Sequence, residues 1–254
     1  MSCIRLRKKK IGSHLGEGTF AHVYLGKYGR KTVAMKKINA NKLKQARVDP
    51  MVEINILLQL DHPNVIRLYS FTIDENEVIH ILEYASAGDL FGIWKSKGKF
   101  EESIAIQYIK EIANGLEYIH SKKIMHLDIK LENILIDVKG KVATSKIADF
   151  GHAQTFKDGQ WFTNPNGTPE YFSPEMLRYR YNYRTDIWSL GVVYYELITG
   201  RSPFSRKTRK EVFAAILSSD IIKVDLSVRS NYLINGLLCR NVEKRITLAD
   251  VINV

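Results

Sequence analysis

The stretch His126-Leu127-Asp128-Ile129-Lys130-Leu131-Glu132-Asn133, continued by Ile134-Leu135-Ile136, decides the fold. The apolar, β-branched run after Asn133 predicts a short strand, with the preceding polar residues held in a loop at its mouth. Sixteen residues past Asn133 stands Asp149-Phe150-Gly151, a second carboxylate followed by a glycine that permits a sharp change of chain direction. Singly, each piece is commonplace: an exposed Asp-x-Lys is a frequent surface pair, and Asp-Phe-Gly a frequent turn. Their order and spacing together make coincidence a poor explanation.

The chain has 254 residues, 45% of them hydrophobic, enough for one large domain or two modest lobes and too apolar for a disordered chain. No apolar run approaches a membrane span, and Met1-Ser2-Cys3-Ile4-Arg5 lacks the long apolar region of a secretory signal. A soluble, intracellular protein with no membrane partner, in cytoplasm or nucleus, is the expectation. Cys3 and Cys239 form neither a paired metal motif nor a disulfide framework, which fits a reducing compartment. The net charge of +11 is uneven, with 14 Lys/Arg against 7 Asp/Glu in residues 1–82. Such an excess favours polyanions, although solubility alone explains it as well. Residues 1–9 read as a basic arm, in which Arg5-x-Arg7-Lys8-Lys9-Lys10 is open to a nuclear address or a weak nucleic-acid contact.

Further pieces line up before the central stretch. Leu15-Gly16-Glu17-Gly18-Thr19-Phe20-Ala21-His22-Val23 predicts two strands joined by a glycine-rich turn. Val33-Ala34-Met35-Lys36-Lys37 predicts a strand in which Ala34 and Lys36 share one face while Lys37 points to solvent. Pro50 to Leu60, with Met51, Ile54, Ile56, Leu57, Leu58 and Leu60, predicts an amphipathic helix that carries Glu53 near its start. Val78-Ile79-His80-Ile81-Leu82 predicts a strand running into the small-residue crossing Glu83-Tyr84-Ala85-Ser86-Ala87-Gly88-Asp89-Leu90. From Leu90 to Lys123 the pattern is helical, with Ile104, Ile109, Ile112, Leu116 and Ile119 as the expected buried face. His126 reads as a packed structural histidine, since no second His or Glu stands at metal-ligand spacing.

Taken together, these segments resemble eukaryotic-type serine/threonine protein kinases over roughly residues 10 to 250. The resemblance implies an α+β, bilobal kinase fold: a small β-rich N-lobe with one main helix at 10–82, a hinge at 83–87, and a larger, mostly helical C-lobe at 88–254 with the activation segment at 149–175. It implies ATP, with magnesium or manganese, as cofactors and a Ser/Thr-containing protein as substrate. Asp128 would accept the proton of the attacking hydroxyl, Lys130 would neutralise charge on the phosphoryl group, and Asn133 and Asp149 would hold the metal. Leu15, Gly16 and Gly18 would belong to the phosphate-covering loop, whose third family glycine is Ala21 here. Lys36 would contact the α and β phosphates and pair with Glu53. Val23, Ala34 and Leu135 would wall the adenine, Leu82 would guard the back of the pocket, backbone groups of Glu83 and Ala85 would bind the adenine edge, and Asp89 would meet the ribose.

In the same resemblance, Gly167-Thr168-Pro169-Glu170-Tyr171 looks like the substrate-docking loop of serine/threonine kinases, with Thr168 positioning Asp128 and Lys130. Glu175 and Arg245 match an anchoring ion pair, and Asp186 a carboxylate bracing the catalytic loop. The departure is Leu127, where most regulated kinases carry an arginine that clamps an activation-loop phosphate. Phosphorylation of Thr155 or Thr163 is therefore not expected to be the main switch. Leu127, Leu131 and Ser173, with the compact chain, also resemble the baculoviral serine/threonine kinases, whose proposed substrates include an arginine-rich DNA-packaging protein. Glu132 and Asp89 would attract such a basic substrate. The alternatives are a pseudokinase acting as a nucleotide-binding scaffold and a basic nucleic-acid-binding protein, and the expected state is monomer or homodimer. The chain stops at Asp250-Val251-Ile252-Asn253-Val254 inside what reads as the last helix, so a C-terminal turn is expected to be missing.

Overall fold

The structure is a computed structural model that describes residues 12–18, 21–204, 206–218 and 225–254. The basic arm at 1–9 lies outside the described residues, as do Thr19 and Phe20 of the glycine-rich turn. Five antiparallel strands form one sheet in the order β1 (His14–Glu17), β2 (Ala21–Tyr28), β3 (Lys31–Asn39), β5 (Glu77–Glu83) and β4 (Leu68–Ile73). Between β3 and β4 lie α1 (Ala40–Ala46) and α2 (Pro50–Leu57). Asp49 caps α2 through its side chain, and Pro50 occupies the first helical position, where a missing N–H does no harm.

The register sets which side chains face the interior. Val23 opposes Lys36, Leu25 opposes Ala34, and Ala34 and Lys36 in turn oppose Leu82 and His80. Directly opposed residues share a face, so Val23, Ala34, Lys36 and Leu82 all look the same way, toward the second lobe. On that face, Ala21, Ile38, Leu43, Ile54 and Val78 join α1 and α2 to the sheet. Val33, Met35, Ile79 and Ile81 make a separate cluster on the other face.

The second lobe packs around two helices, α4 (Glu102–Ser121) and α6 (Thr185–Thr199), whose contact surfaces are almost wholly apolar and buried. The remaining helices are α3 (Leu90–Lys97), α5 (Pro174–Leu177), α7 (Arg209–Ser218), α8 (Val228–Leu237) and α9 (Leu248–Asn253). Two short antiparallel pairs sit at the lobe junction: β7 (Ile134–Lys139) with β8 (Val142–Ile147), and β6 (Ile124–Met125) with β9 (Gln154–Thr155). The expected strand after Asn133 is β7. This arrangement is the expected α+β kinase architecture, a β-sheet lobe and a helical lobe.

Several local expectations need correction. The stretch from Leu90 to Lys123 is two helices, because Gly98 ends α3 at φ 75° and ψ −135°, a conformation that suits only glycine. Ile104 is 45% exposed, and Ile106 takes its place in the core. Leu58 is 53% exposed and lies just past the end of α2. Lys37 does not stand free in solvent: its Nζ pairs with Glu77 at 2.8 Å. The helix α1, capped by Asn39 and burying Ala40 and Leu43, was not expected.

Candidate active site

The residues expected at the site converge at the lobe junction. Lys36 comes from the middle of β3, Glu53 from the first turn of α2, and Asp149 from the loop after β8. Lys36 Nζ donates to Glu53 Oε1 and to Asp149 Oδ1, both at 2.8 Å. Burial works against the ammonium, but the two carboxylates outweigh it and hold Lys36 above its ordinary range. The same lysine holds the Asp149 carboxyl well below the usual carboxylate range. Lys36 is therefore a fixed cation that reports both the seating of α2 and the conformation of the Asp149 loop. Behind it, His80 is fully buried with neither ring nitrogen hydrogen-bonded, 4.0 Å from Glu53 Oε2. Burial lowers its pKa, so the ring stays neutral beside Lys36.

Asp128 is held from three sides. Its Oδ1 accepts from Thr168 N at 3.0 Å and Thr168 Oγ1 at 2.7 Å, while Asn133 Nδ2 donates to its Oδ2 at 2.8 Å. Lys130 Nζ lies 2.9 Å from Asp128 Oδ2 and donates to Thr168 Oγ1 at 2.8 Å. Burial would raise the Asp128 pKa, but the Thr168 and Lys130 hydrogen bonds outweigh it, so the carboxyl remains an ionised acceptor. Thr168 can stand there because Gly167 precedes it at φ 108°, where a Cβ would come within 2.2 Å of the Leu127 carbonyl oxygen.

The loop carrying Asp128 is anchored to the core by one carboxylate. Asp186 in α6 is fully buried and accepts from His126 N, Leu127 N and His120 Nε2, each at 2.8 Å. Burial opposes its charge, but the His120 bond and these amides keep it ionised. They also hold Leu127 at φ 67°, a left-handed backbone that a leucine adopts only under surrounding constraint. His126 is the packed histidine expected: buried, held neutral by that burial, and edge-on to Phe150 at 4.9 Å between ring centroids. Glu175 and Arg245 form the expected anchoring pair, two-pronged at 2.5 and 2.9 Å.

The nucleotide-pocket residues also meet. Leu82, Ala85 and Leu135 pack in one apolar cluster with Ile66 and Ala148, and Val23 and Ala34 face it from the sheet. Glu83 spends its N–H on the Arg67 carbonyl, so only its carbonyl remains for an adenine edge. Its side chain is tied to Lys146 at 3.1 Å. One oxygen of Asp89 caps α3 by accepting from Gly92 N at 2.7 Å, which leaves the other for a ribose. Gly16 and Gly18 have open space where a Cβ would sit, so a phosphate chain meets no obstruction from them. Leu15 is exposed at the rim.

Asn133 uses its Nδ2 on the backbone oxygen and Oδ2 of Asp128, which leaves its amide oxygen as an acceptor near the Asp149 carboxylate loop. An amide and a carboxylate are hard oxygen donors, and this set fits magnesium or manganese. Asn133 and Asp149 are the residues that would hold such an ion, which when bound offsets phosphate charge. Sequence reasoning missed one feature beside the docking segment. Glu196 is buried in α6 at 5% exposure, and Tyr171 Oη donates to its Oε2 at 2.9 Å. Burial first, and the nearby carboxylates Glu132 and Glu170 as well, push the Glu196 pKa up to about 8. The signal was present in Val192-Val193-Tyr194-Tyr195-Glu196-Leu197-Ile198, because a lone acid in a buried apolar helix is costly and wants a reason.

A kinase-type phosphotransfer centre is what this geometry defines, and the protein kinase domain family matches residues 9–254. The chain belongs to the protein kinase family, among its serine/threonine members. It is 39% identical over 252 residues to an Aurora kinase of Dictyostelium discoideum, covering 96% of this chain and 64% of that protein. It is 37% identical over 257 residues to an Aurora kinase of Schizosaccharomyces pombe, covering 95% and 69%. It is 35% identical over 256 residues to death-associated protein kinase 2 of Mus musculus, again covering 95% and 69%. The chain thus spans about two thirds of the length of these relatives.

Proposed function

We propose that this chain transfers the γ-phosphate of ATP to serine or threonine hydroxyls of basic protein substrates inside the cell, and that it does so without an activation-loop phosphate. The observation that carries this reading is the set of short contacts joining Lys36 to Glu53 and Asp149, together with Asp128 held in place by Thr168, Lys130 and Asn133 and kept ionised by the first two. Asp128 is the group that accepts the hydroxyl proton, and Lys130, 2.9 Å away, offsets charge that develops on the phosphoryl oxygens. Lys36 positions the remaining phosphates. Leu82, Ala85, Leu135, Val23 and Ala34 exclude water around the base.

The basic substrate is supported by acidity. Glu132 and Glu170 are exposed beside the docking loop, and Glu196 stands close enough for both to raise its pKa. A substrate arginine there would meet the two exposed carboxylates, and its charge would favour release of the proton that Glu196 holds. An arginine-rich DNA-packaging protein of viral origin, as the baculoviral resemblance implies, has that chemistry.

Phosphate independence is supported by Leu127. It is 4% exposed and packs with Met125, Phe156, Phe172, Met176 and Tyr181, so apolar burial holds the activation segment where an arginine–phosphate pair would otherwise do so. The test is transfer from magnesium ATP to an arginine-rich, serine-containing protein by phosphatase-treated chain, with Asp128→Asn as control. Transfer that survives phosphatase treatment and collapses in the variant is expected. No transfer alongside retained ATP binding would overturn the reading in favour of a nucleotide-binding scaffold.

A further inference from the structure

We infer that the outer face of the β1–β2 hairpin is a binding site for a zinc-type transition-metal ion, formed by His14, Glu17 and His22. This face lies on the opposite side of the sheet from the nucleotide pocket. Side chains alternate along a strand, so Val23, opposite Lys36, looks inward while His22 and Tyr24 look outward. His14 opposes Tyr24 and Glu17 opposes His22, which places all four side chains on the outer face. In an unbroken strand, residues three apart would fall on opposite faces. The irregularity between His14 and Gly16 resets the alternation and brings His14 and Glu17 together.

The result is two imidazoles and one carboxylate whose ligand atoms all lie within 4.8 Å of one another, the one such group among the described residues. His22 Nδ1 is 3.8 Å from Glu17 Oε2, and the His14 and His22 ring centroids are 6.0 Å apart. Tyr24 stands edge-on to His14 at 5.4 Å and limits the ring's freedom. Zinc bonds to imidazole and carboxylate run about 2.0–2.1 Å, so ligand atoms of a tetrahedral site stand about 3.3 Å apart. All three side chains are exposed, and small rotamer changes close that gap with a water completing the fourth position. Lys37 opposes His22 in register, but its charge is engaged by Glu77 at 2.8 Å.

Imidazole donors select against magnesium, so the metal of the catalytic reaction does not compete here. Glu17 lies between Gly16 and Gly18, and an ion on its carboxylate would pin the root of the glycine-rich turn from outside. The inference is independent of the proposed activity, and its test uses no turnover. The full chain, free of nucleotide, is titrated with Co2+ and then Zn2+, in the presence of excess magnesium. The expected result is one ion per chain, a tetrahedral Co2+ absorption spectrum, and its displacement by Zn2+. The double variant His14→Ala/His22→Ala should lose the spectrum, and Glu17→Gln should weaken Zn2+ binding by roughly tenfold. Circular dichroism checks that the variants keep their fold. Wild-type chain that binds no Co2+, or binding that the double variant and Glu17→Gln both retain, overturns the inference.

Discussion

Glu196→Gln offers the sharpest test of how the helical lobe is assembled. The wild-type carboxyl sits in α6 with 5% exposure, accepts the Tyr171 hydroxyl at 2.9 Å, and has its pKa pushed from the usual 4.5 up to about 8. Burial is the main cause, Glu132 and Glu170 add to it, and the Tyr171 and Ser202 hydroxyls pull the other way. Because the folded pKa exceeds the unfolded one, the folded state holds a proton that the unfolded chain has released. Nothing is lost below about pH 4.5, and stability falls as pH climbs toward about 8. At about 1.4 kcal/mol per pKa unit, the whole window has a ceiling on the order of 5 kcal/mol, and relaxation around the site lowers it. Glutamine keeps the size and the acceptor for Tyr171 but does not titrate. Urea unfolding of both chains should therefore give stabilities within about 1 kcal/mol of each other near pH 5, and a variant more stable by a few kcal/mol near pH 9, with equal slopes against urea. A difference that is the same at both pH values, or a variant less stable in alkali, would refute the assignment of a protonated, buried Glu196.

Gly167→Ala should cut phosphate transfer by about tenfold or more while leaving nucleotide binding intact, since moving Thr168 by even about 1 Å loosens its hold on Asp128; steady-state kinetics with ATP and peptide varied separately would show this, and an unchanged turnover number would contradict it. His80→Leu should raise stability by roughly 1–2 kcal/mol, because it removes a buried ring whose nitrogens have no hydrogen bond. Its lowered pKa adds a pH signature: the wild type loses stability as pH falls below about 6.5, where the unfolded ring takes a proton that the folded one resists, and the leucine variant should lose less. Thermal unfolding across that range measures both effects, and a variant that melts lower at every pH would count against them.

How much of this was legible beforehand depended on whether a residue's role was local. The loop from His126 to Asn133, the Asp149 turn and the Gly167-Thr168 docking segment announce themselves through residue types at fixed spacing, and the contacts among Asp128, Lys130, Asn133 and Thr168 join them as expected. The helix after Leu90 was harder, since the only sign of its division was Gly98, and a lone glycine inside an apolar pattern has many uses. Ile104 and Ile106 were not separable by period: at about 100° per residue they fall equally far to either side of the stripe through Ile109, Ile112, Leu116 and Ile119, so what packs alongside decides that Ile106 is buried and Ile104 exposed. His80 was not legible as a buried polar group, because its burial depends on distant segments such as α2 that cross over it, whereas Glu196 left a trace in the apolar run around it.

The leucine at position 127 changes what kind of object the activation segment is. Where a phosphate holds such a segment, the bond is local, reversible by one enzyme and weakened by salt. Here Met125 and Leu127 share one sealed apolar cluster with Phe156, Phe172, Met176 and Tyr181, contributed by or just after that segment. Opening it would mean unpacking part of the lobe, so on the proposed phosphate-independent reading the working and folded states become nearly the same state. On the proposed reading, a cell would silence such a protein by ceasing to make it, destroying it or covering it rather than by removing a phosphate.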